Sequence, residues 1–203
     1  MSRTVVHLLR HGEVRNPERI LYGRLSGFAL SDVGLRQAQR IAEHLGDHDV
    51  VHVVASPLLR AQQTAAPIAA RHGLDLVTDD GLIEAFTVFE GKRVSIGDGA
   101  LRDPRSWPKL RNPFRPSWGE PYQEIAARML AAVHRARERA SGHEAVCVSH
   151  QLPICAVVRC LTGRRLWHDP RRRRCALASL TSLVFAETAL IDVVYSQPVV
   201  ISE

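Results

Sequence analysis

"TVVHLLRHG", residues 4–12, decides how the rest of the chain is read. Thr4 to Leu9 is a short apolar run with β-branched residues, the pattern of a strand buried in a sheet. It ends abruptly in Arg10, His11 and Gly12. A strand bound for a core that finishes in two cationic side chains sets those side chains on the rim of the sheet. In open α/β sheets that rim, beyond the carboxyl ends of the strands, is where ligands bind.

The same logic extends along the chain. Ser31 caps a helix running to about Leu45, with Leu35, Ala38, Ile41, Ala42 and Leu45 as its apolar stripe. Val50 to Ala55 is a second buried strand, followed by a helix that Ser56 caps, with Pro57 in first position and Gly73 as its stop. Leu74 to Val77 is a third strand. Helices over 120–141 and 152–162 flank a fourth strand, Ala145 to Ser149, and Leu177–Phe185 with Leu190–Tyr195 forms a hairpin around Glu187. Strands alternating with helices predict a three-layer α/β/α sandwich, its sheet mostly parallel with an antiparallel strand near the C-terminus. The 203 residues read as one domain carrying a loop-rich insertion at about 86–119, where glycines, prolines and Trp107 and Trp118 collect.

Composition narrows the function only a little. No run approaches the roughly 20 apolar residues that span a bilayer, and Met1 to Val6 lacks the basic-then-apolar pattern of a secretory leader. Cys147, Cys155, Cys160 and Cys175 have no CxxC spacing and read as reduced core thiols. A cytoplasmic protein is expected. The net charge is +6 and the basic side is nearly all arginine, with only Lys92 and Lys109 as lysines. Arginine's planar fork suits phosphate and carboxylate oxygens. Arg171 to Arg174 is the one cluster that raises a nucleic-acid partner; it lacks interleaved aromatics and reads as a solvated basic loop.

The strand-end rule gathers Arg10, His11 and Gly12 from the first strand, Ser56 and Arg60 after the second, Glu84 shortly after the third and His150 after the fourth. Two arginines and two histidines facing one cavity repel each other unless an anion lies between them. Phosphoryl is the natural guest. A histidine aimed at phosphorus can attack it, and a nearby carboxylic acid can protonate the leaving oxygen and then deprotonate water. The arginines supply the charge stabilisation a metal gives elsewhere, so no metal and no cofactor is called for.

"LLRHGEVRN" (8–16) resembles the signature of the histidine phosphatase superfamily, the phosphoglycerate-mutase-like proteins, in which Arg-His-Gly-Glu is followed shortly by Asn. "LSDVGLRQAQRIA" (30–42), "ASPLLRAQQTA" (55–65) and "VCVSHQLPI" (146–154) resemble three further family segments, in the family's order. The resemblance implies that His11 is the phosphorylated nucleophile. It implies that Arg10, Arg60 and His150 clamp the phosphoryl group, that Asn16 hydrogen-bonds it, and that Gly12 lets the backbone turn beneath it. In "GLIEAFTVFEG" (81–91) Glu84 falls where the family's proton donor falls, although its distance to Gly91 is one residue shorter than usual, leaving Glu90 or Glu120 as alternatives. Glu13 would support the pocket's hydrogen bonds. In "GEPYQEIAAR" (119–128) Pro121 replaces a serine, and Arg128 faces the core or supports the site. Gln151 stands where the family commonly has a small residue, and Phe86 to Gly119 departs from the phosphoglycerate mutase pattern.

The function implied is a metal-independent phosphomonoester hydrolase acting on a small phosphorylated metabolite and releasing inorganic phosphate. A phosphoglycerate-mutase-type phosphotransferase is the alternative. Arg93, Arg102, Arg105, Lys109, Arg111 and Arg115 are expected to cap the pocket and meet further anionic groups on the substrate. His7, His52 and His134 read as packed residues.

Overall fold

In chain order the strands are β1 (Arg3–Arg10), β2 (Val50–Ala55), β3 (Leu76–Thr78), β4 (Val94–Ser95), β5 (Asp98–Gly99), β6 (Glu144–Ser149), β7 (Leu180–Ala186) and β8 (Ala189–Ser196). They come from a computed structural model that describes residues 3–95, 98–99 and 118–199. Six form one sheet in the order β3-β2-β6-β1-β7-β8; β4 and β5 pair separately. β1, β2, β3 and β6 run parallel. β7 reverses direction against both β1 and β8, as the hairpin pattern requires.

Helices α1 (Asp32–His44), α2 (Leu59–His72), α3 (Tyr122–Arg139) and α4 (Gln151–Leu161) cover the two faces. Side chains alternate across β1, and both sets are buried because helices lie on both sides. Val6 and Leu8 pack with Met129 and Val133 of α3 and Ile154 and Val157 of α4. Leu9, with Val53 and Val146, packs with Ile41 of α1 and Ile68 of α2. These are the three expected layers.

Two element boundaries differ from expectation for identifiable reasons. Gly73 closes α2 in the left-handed region, φ 64°, and the Leu74 N–H then donates to the Ala69 carbonyl, so β3 begins only at Leu76. At the other end α2 begins at Leu59 with Leu58 in the cap position and no side-chain cap; Ser56 stands before it, its Oγ accepting from the Leu58 N–H at 3.4 Å. Ser31 does cap α1, its Oγ accepting from the Gly34 N–H at 3.0 Å. The thiols are all free, but only Cys147 and Cys175 are core residues; Cys155 is half-buried and Cys160 exposed, so the expected core placement fails for the last. Residues 100–117, the greater part of the expected insertion, lie outside the described residues, together with Arg102, Arg105, Lys109, Arg111 and Arg115.

His7 is packed as expected, and it is not idle. Its Nδ1 lies 2.8 Å from Ser182 Oγ, and its Nε2 donates to Glu144 Oε2 at 2.8 Å. His48 Nδ1 donates to the same oxygen at 2.8 Å, tying the turn after α1 to the start of β6. These bonds hold the Glu144 carboxyl down to about 2. Glu144→Gln should therefore cost about 1–2 kcal/mol in urea unfolding at neutral pH, partial exposure keeping the figure low. Because the folded-state value is depressed, the ionised carboxylate's contribution is complete above pH 4.5 and lost as pH falls toward about 2. Equal stability of the variant and the parent across pH 3–7 would refute this role.

Candidate active site

β1 delivers Arg10 and His11 to the sheet's rim, where neighbouring strands fix their backbone. The Arg10 N–H donates to the Ser179 carbonyl and the His11 N–H to the Ser149 carbonyl, each at 3.1 Å. Gly12 is needed here, but not for a turn, since its φ is not in the left-handed region. A Cβ at Gly12 would sit 2.8 Å from the Gly34 carbonyl oxygen, so the absence of a side chain lets α1 approach the strand end. The Gly12 N–H donates to Thr64 Oγ1 at 3.1 Å. Glu13 supports the site one step removed, accepting from the capping hydroxyl of Ser31 at 2.6 Å.

His11 is buried, and its Nδ1 lies 2.7 Å from the Gly12 carbonyl oxygen. A carbonyl only accepts, so Nδ1 carries the proton and Nε2 keeps its lone pair. Burial, then the Arg60 guanidinium, push the ring's pKa down to about 3, so it is neutral across the physiological range. The His150 ring lies 5.1 Å from it, centroid to centroid. Arg60 Nη2 donates to His150 Nδ1 at 3.3 Å and to the Gly23 carbonyl at 2.7 Å. His150 Nε2 then donates to Ser56 Oγ at 2.8 Å. His150 too is held neutral, its pKa driven well below the usual value by burial and by His11 and Arg60.

Arg10 Nη1 donates to the Cys175 carbonyl at 2.7 Å, and Gln151 Nε2 reaches the same oxygen at 3.4 Å. Gln151 thus lines the cavity with its amide nitrogen turned to the Cys175 carbonyl. Two guanidinium N–H groups, Nε of Arg10 and Nε of Arg60, are buried with no hydrogen-bond partner. No carboxylate pairs with either arginine among the described residues. Buried orphan donors of this kind are rare and mark a place where an acceptor belongs.

A cavity of about 350 Å³ opens over this floor, lined by Arg10, His11, Tyr22, Glu84, Gln151 and Arg173 among others. Arg60 and His150 do not line it; they lie beneath, fully buried. The Glu84 carboxyl accepts from the Ala85 N–H at 2.8 Å, and burial raises its pKa. Glu120 also lines the cavity, but both of its oxygens accept from guanidinium groups, those of Arg24 and Arg128, at 2.7–3.1 Å. Glu90 accepts from the Arg24 N–H and does not line the cavity. Arg128 does support the site, donating to the Gly81 and Ile83 carbonyls at 2.8 and 2.7 Å and so holding the loop that carries Glu84.

Asn16 is the expected residue that the structure does not bring to the cavity. Its amide bonds Ile20 on both sides, donating to the carbonyl at 2.8 Å and accepting from the N–H at 3.2 Å, so it closes a turn. Sequence reasoning missed Tyr22, whose ring lies under the Arg60 guanidinium at 4.7 Å, and Arg173. The only signal for either was membership of a loop near a strand end.

The sequence model of the histidine phosphatase superfamily (branch 1) matches residues 6–194. The chain belongs to this superfamily. Relatives of this chain include the uncharacterized protein Rv0525 of Mycobacterium tuberculosis, 64% identical over 97% of this chain and 98% of that one. The probable phosphoglycerate mutase GpmB of Yersinia pestis is 32% identical over 90% and 86%. Among solved structures, the mycobacterial glucosyl-3-phosphoglycerate phosphatase Rv2419c is similar with a TM-score of 0.72 and 25% identity, 90% of each chain being covered. These relatives thus include a phosphatase and a probable phosphoglycerate mutase.

Among the described residues one group of side chains has the composition of a metal site, His7, His48 and Glu144, at the far end of β6 from His150. No described helix is long and apolar enough to cross a membrane.

The geometry fixes an expected NMR outcome. In ¹⁵N-labelled protein at pH 7, His11 should appear as the neutral Nδ1–H tautomer and titrate near pH 3, far below an ordinary imidazole. An Nε2–H tautomer, or a midpoint near 6.5, would contradict the assignment of a free Nε2.

Proposed function

We propose that this histidine phosphatase is a metal-independent phosphomonoesterase whose His11 forms a phosphohistidine. The observation that carries the reading is the pair of orphan guanidinium donors, Arg10 Nε and Arg60 Nε, buried beside a histidine with a bare Nε2. A phosphoryl group offers several acceptor oxygens and an electrophilic centre at once.

In this mechanism the substrate's phosphoryl oxygens take hydrogen bonds from Arg10 and Arg60. The His150 Nε2–H turns from Ser56 to a third oxygen. Asn16 acts through the loop it closes. His11 Nε2 attacks phosphorus in line, an N–P bond forms and the ester P–O bond breaks. Glu84, whose pKa burial raises, gives a proton to the departing oxygen. The resulting carboxylate takes a proton from water, the water oxygen attacks phosphorus, and the N–P bond breaks. Inorganic phosphate leaves with His11 neutral and Glu84 protonated again.

The mutase alternative differs only in the second acceptor, a substrate hydroxyl instead of water, and the 32% identity to a probable phosphoglycerate mutase supports it. Turnover of phosphoglycerate that requires a bisphosphorylated primer would favour it over the hydrolase.

Protein without added metal should hydrolyse p-nitrophenyl phosphate, and His11→Ala should abolish this. Glu84→Gln should still be phosphorylated by p-nitrophenyl phosphate, because that leaving group needs little protonation. It should then lose about 10²–10⁴ in turnover and accumulate an acid-labile phosphoenzyme, the base for water being gone. Phosphate release at the parent rate from either variant would sink the mechanism. The basic limb of the pH profile for alkyl phosphates should lie above the ordinary carboxylate range, as Glu84's raised value requires.

A further inference from the structure

Arg173 is one of four consecutive arginines, and its three neighbours behave as an exposed basic loop does. Arg171 and Arg172 are exposed on a 3₁₀ turn, Pro170–Arg172, capped by Asp169, and Arg171 is paired with that aspartate at 2.9 Å. Arg174 is exposed and lies over the Tyr195 ring at 5.1 Å. Arg173 alone of the four is half-buried, and it alone lines the cavity over His11.

Its aim is set by a relay. His168 Nδ1–H donates to the Leu166 carbonyl at 2.7 Å, which leaves His168 Nε2 as an acceptor. Arg173 Nε donates to that nitrogen at 2.9 Å. One edge of the guanidinium is thereby tied to the protein by a neutral partner. Its two terminal nitrogens donate to no carboxylate among the described residues. Its charge is nevertheless felt within the site, where it pulls on the Glu84 carboxyl. Arg24, Arg128 and Arg135, by contrast, are all neutralised by Glu120 or Asp79.

A pre-aimed, unneutralised guanidinium on the cavity wall, set apart from the phosphoryl floor of Arg10 and Arg60, suits a second anion. We propose that Arg173 is a specificity-determining residue that holds a second anionic group, a carboxylate or a second phosphate, on the same phosphomonoester, with His168 as its positioning residue. The proposal rests on the phosphomonoesterase reading for the first group. Arginine's fork suits either guest, because each presents two coplanar or near-coplanar oxygens.

The test separates the second group from the first by binding, without turnover. His11→Ala protein is titrated calorimetrically with matched pairs: 3-phosphoglycerate against glycerol 3-phosphate for the carboxylate, and glucose 1,6-bisphosphate against glucose 6-phosphate for the phosphate. One doubly anionic member should bind at least about tenfold tighter than its partner, a charge-assisted contact being worth about that factor. Adding Arg173→Ala should erase the ratio while leaving the singly anionic member's Kd within about twofold, and Arg173→Lys should keep part of it as a point charge. The pair that discriminates identifies the guest. Adding His168→Ala instead to the His11→Ala protein should lower the same ratio, with the singly anionic member's Kd again within about twofold. If neither pair discriminates, or if the ratio survives Arg173→Ala, the proposal is overturned. Failure of the phosphomonoesterase reading would look different: the parental enzyme would be silent toward p-nitrophenyl phosphate whatever these ratios are.

Discussion

The hydrogen bond from His11 Nδ1–H to its neighbour's carbonyl, 2.7 Å to Gly12 O, is the constraint on which the site depends. It selects one tautomer and one ring orientation, and both leave Nε2 facing outward as a lone pair. The bond survives only because the backbone around Gly12 cannot relax. Strand pairing holds His11 from one side, Thr64 holds the Gly12 N–H, and the Gly34 carbonyl would meet any Cβ added at residue 12. Preorganisation of this kind moves the cost of orienting a nucleophile into folding, so the chemical step does not meet it.

The second constraint is electrostatic. Arg10 and Arg60 lie beside two histidines, and among the described residues no carboxylate forms an ion pair with either, an arrangement water would normally relieve. Burial resolves the conflict by keeping both rings neutral, which lowers the repulsion and preserves nucleophilicity together. The same burial acts in the opposite sense on Glu84, raising a carboxyl where it lowers an imidazole. One buried environment thus shifts an imidazole and a carboxyl in opposite directions, each toward its neutral form.

Much of this was legible in the sequence because strand ends are legible. Apolar runs at 4–9, 50–55 and 145–149 place whatever follows them on one rim, and that rule alone gathers Arg10, His11, Arg60 and His150. What it does not reveal is which side chain uses its polar atoms elsewhere. Ser56 looks like a cap, yet its hydroxyl answers His150 from another strand. Asn16 looks like a ligand, yet both sides of its amide are occupied by Ile20. Arg173 is indistinguishable from three neighbours until a single turn of backbone decides which of them faces inward. Local pattern ranks residues by type, and tertiary hydrogen bonding then assigns them.

The central position of β1 carries a consequence for how the molecule comes into being. His7 and Ser182, which touch across adjacent strands, are 175 residues apart in the chain. The strand that ends at His11 has no partner on either side until β6 and then β7 have been made. It must wait as an unpaired apolar segment through the synthesis of the residues between, and loop closure over that distance favours slow, late ordering. The rim that holds His11 therefore takes shape late, as a by-product of pairings made far along the chain.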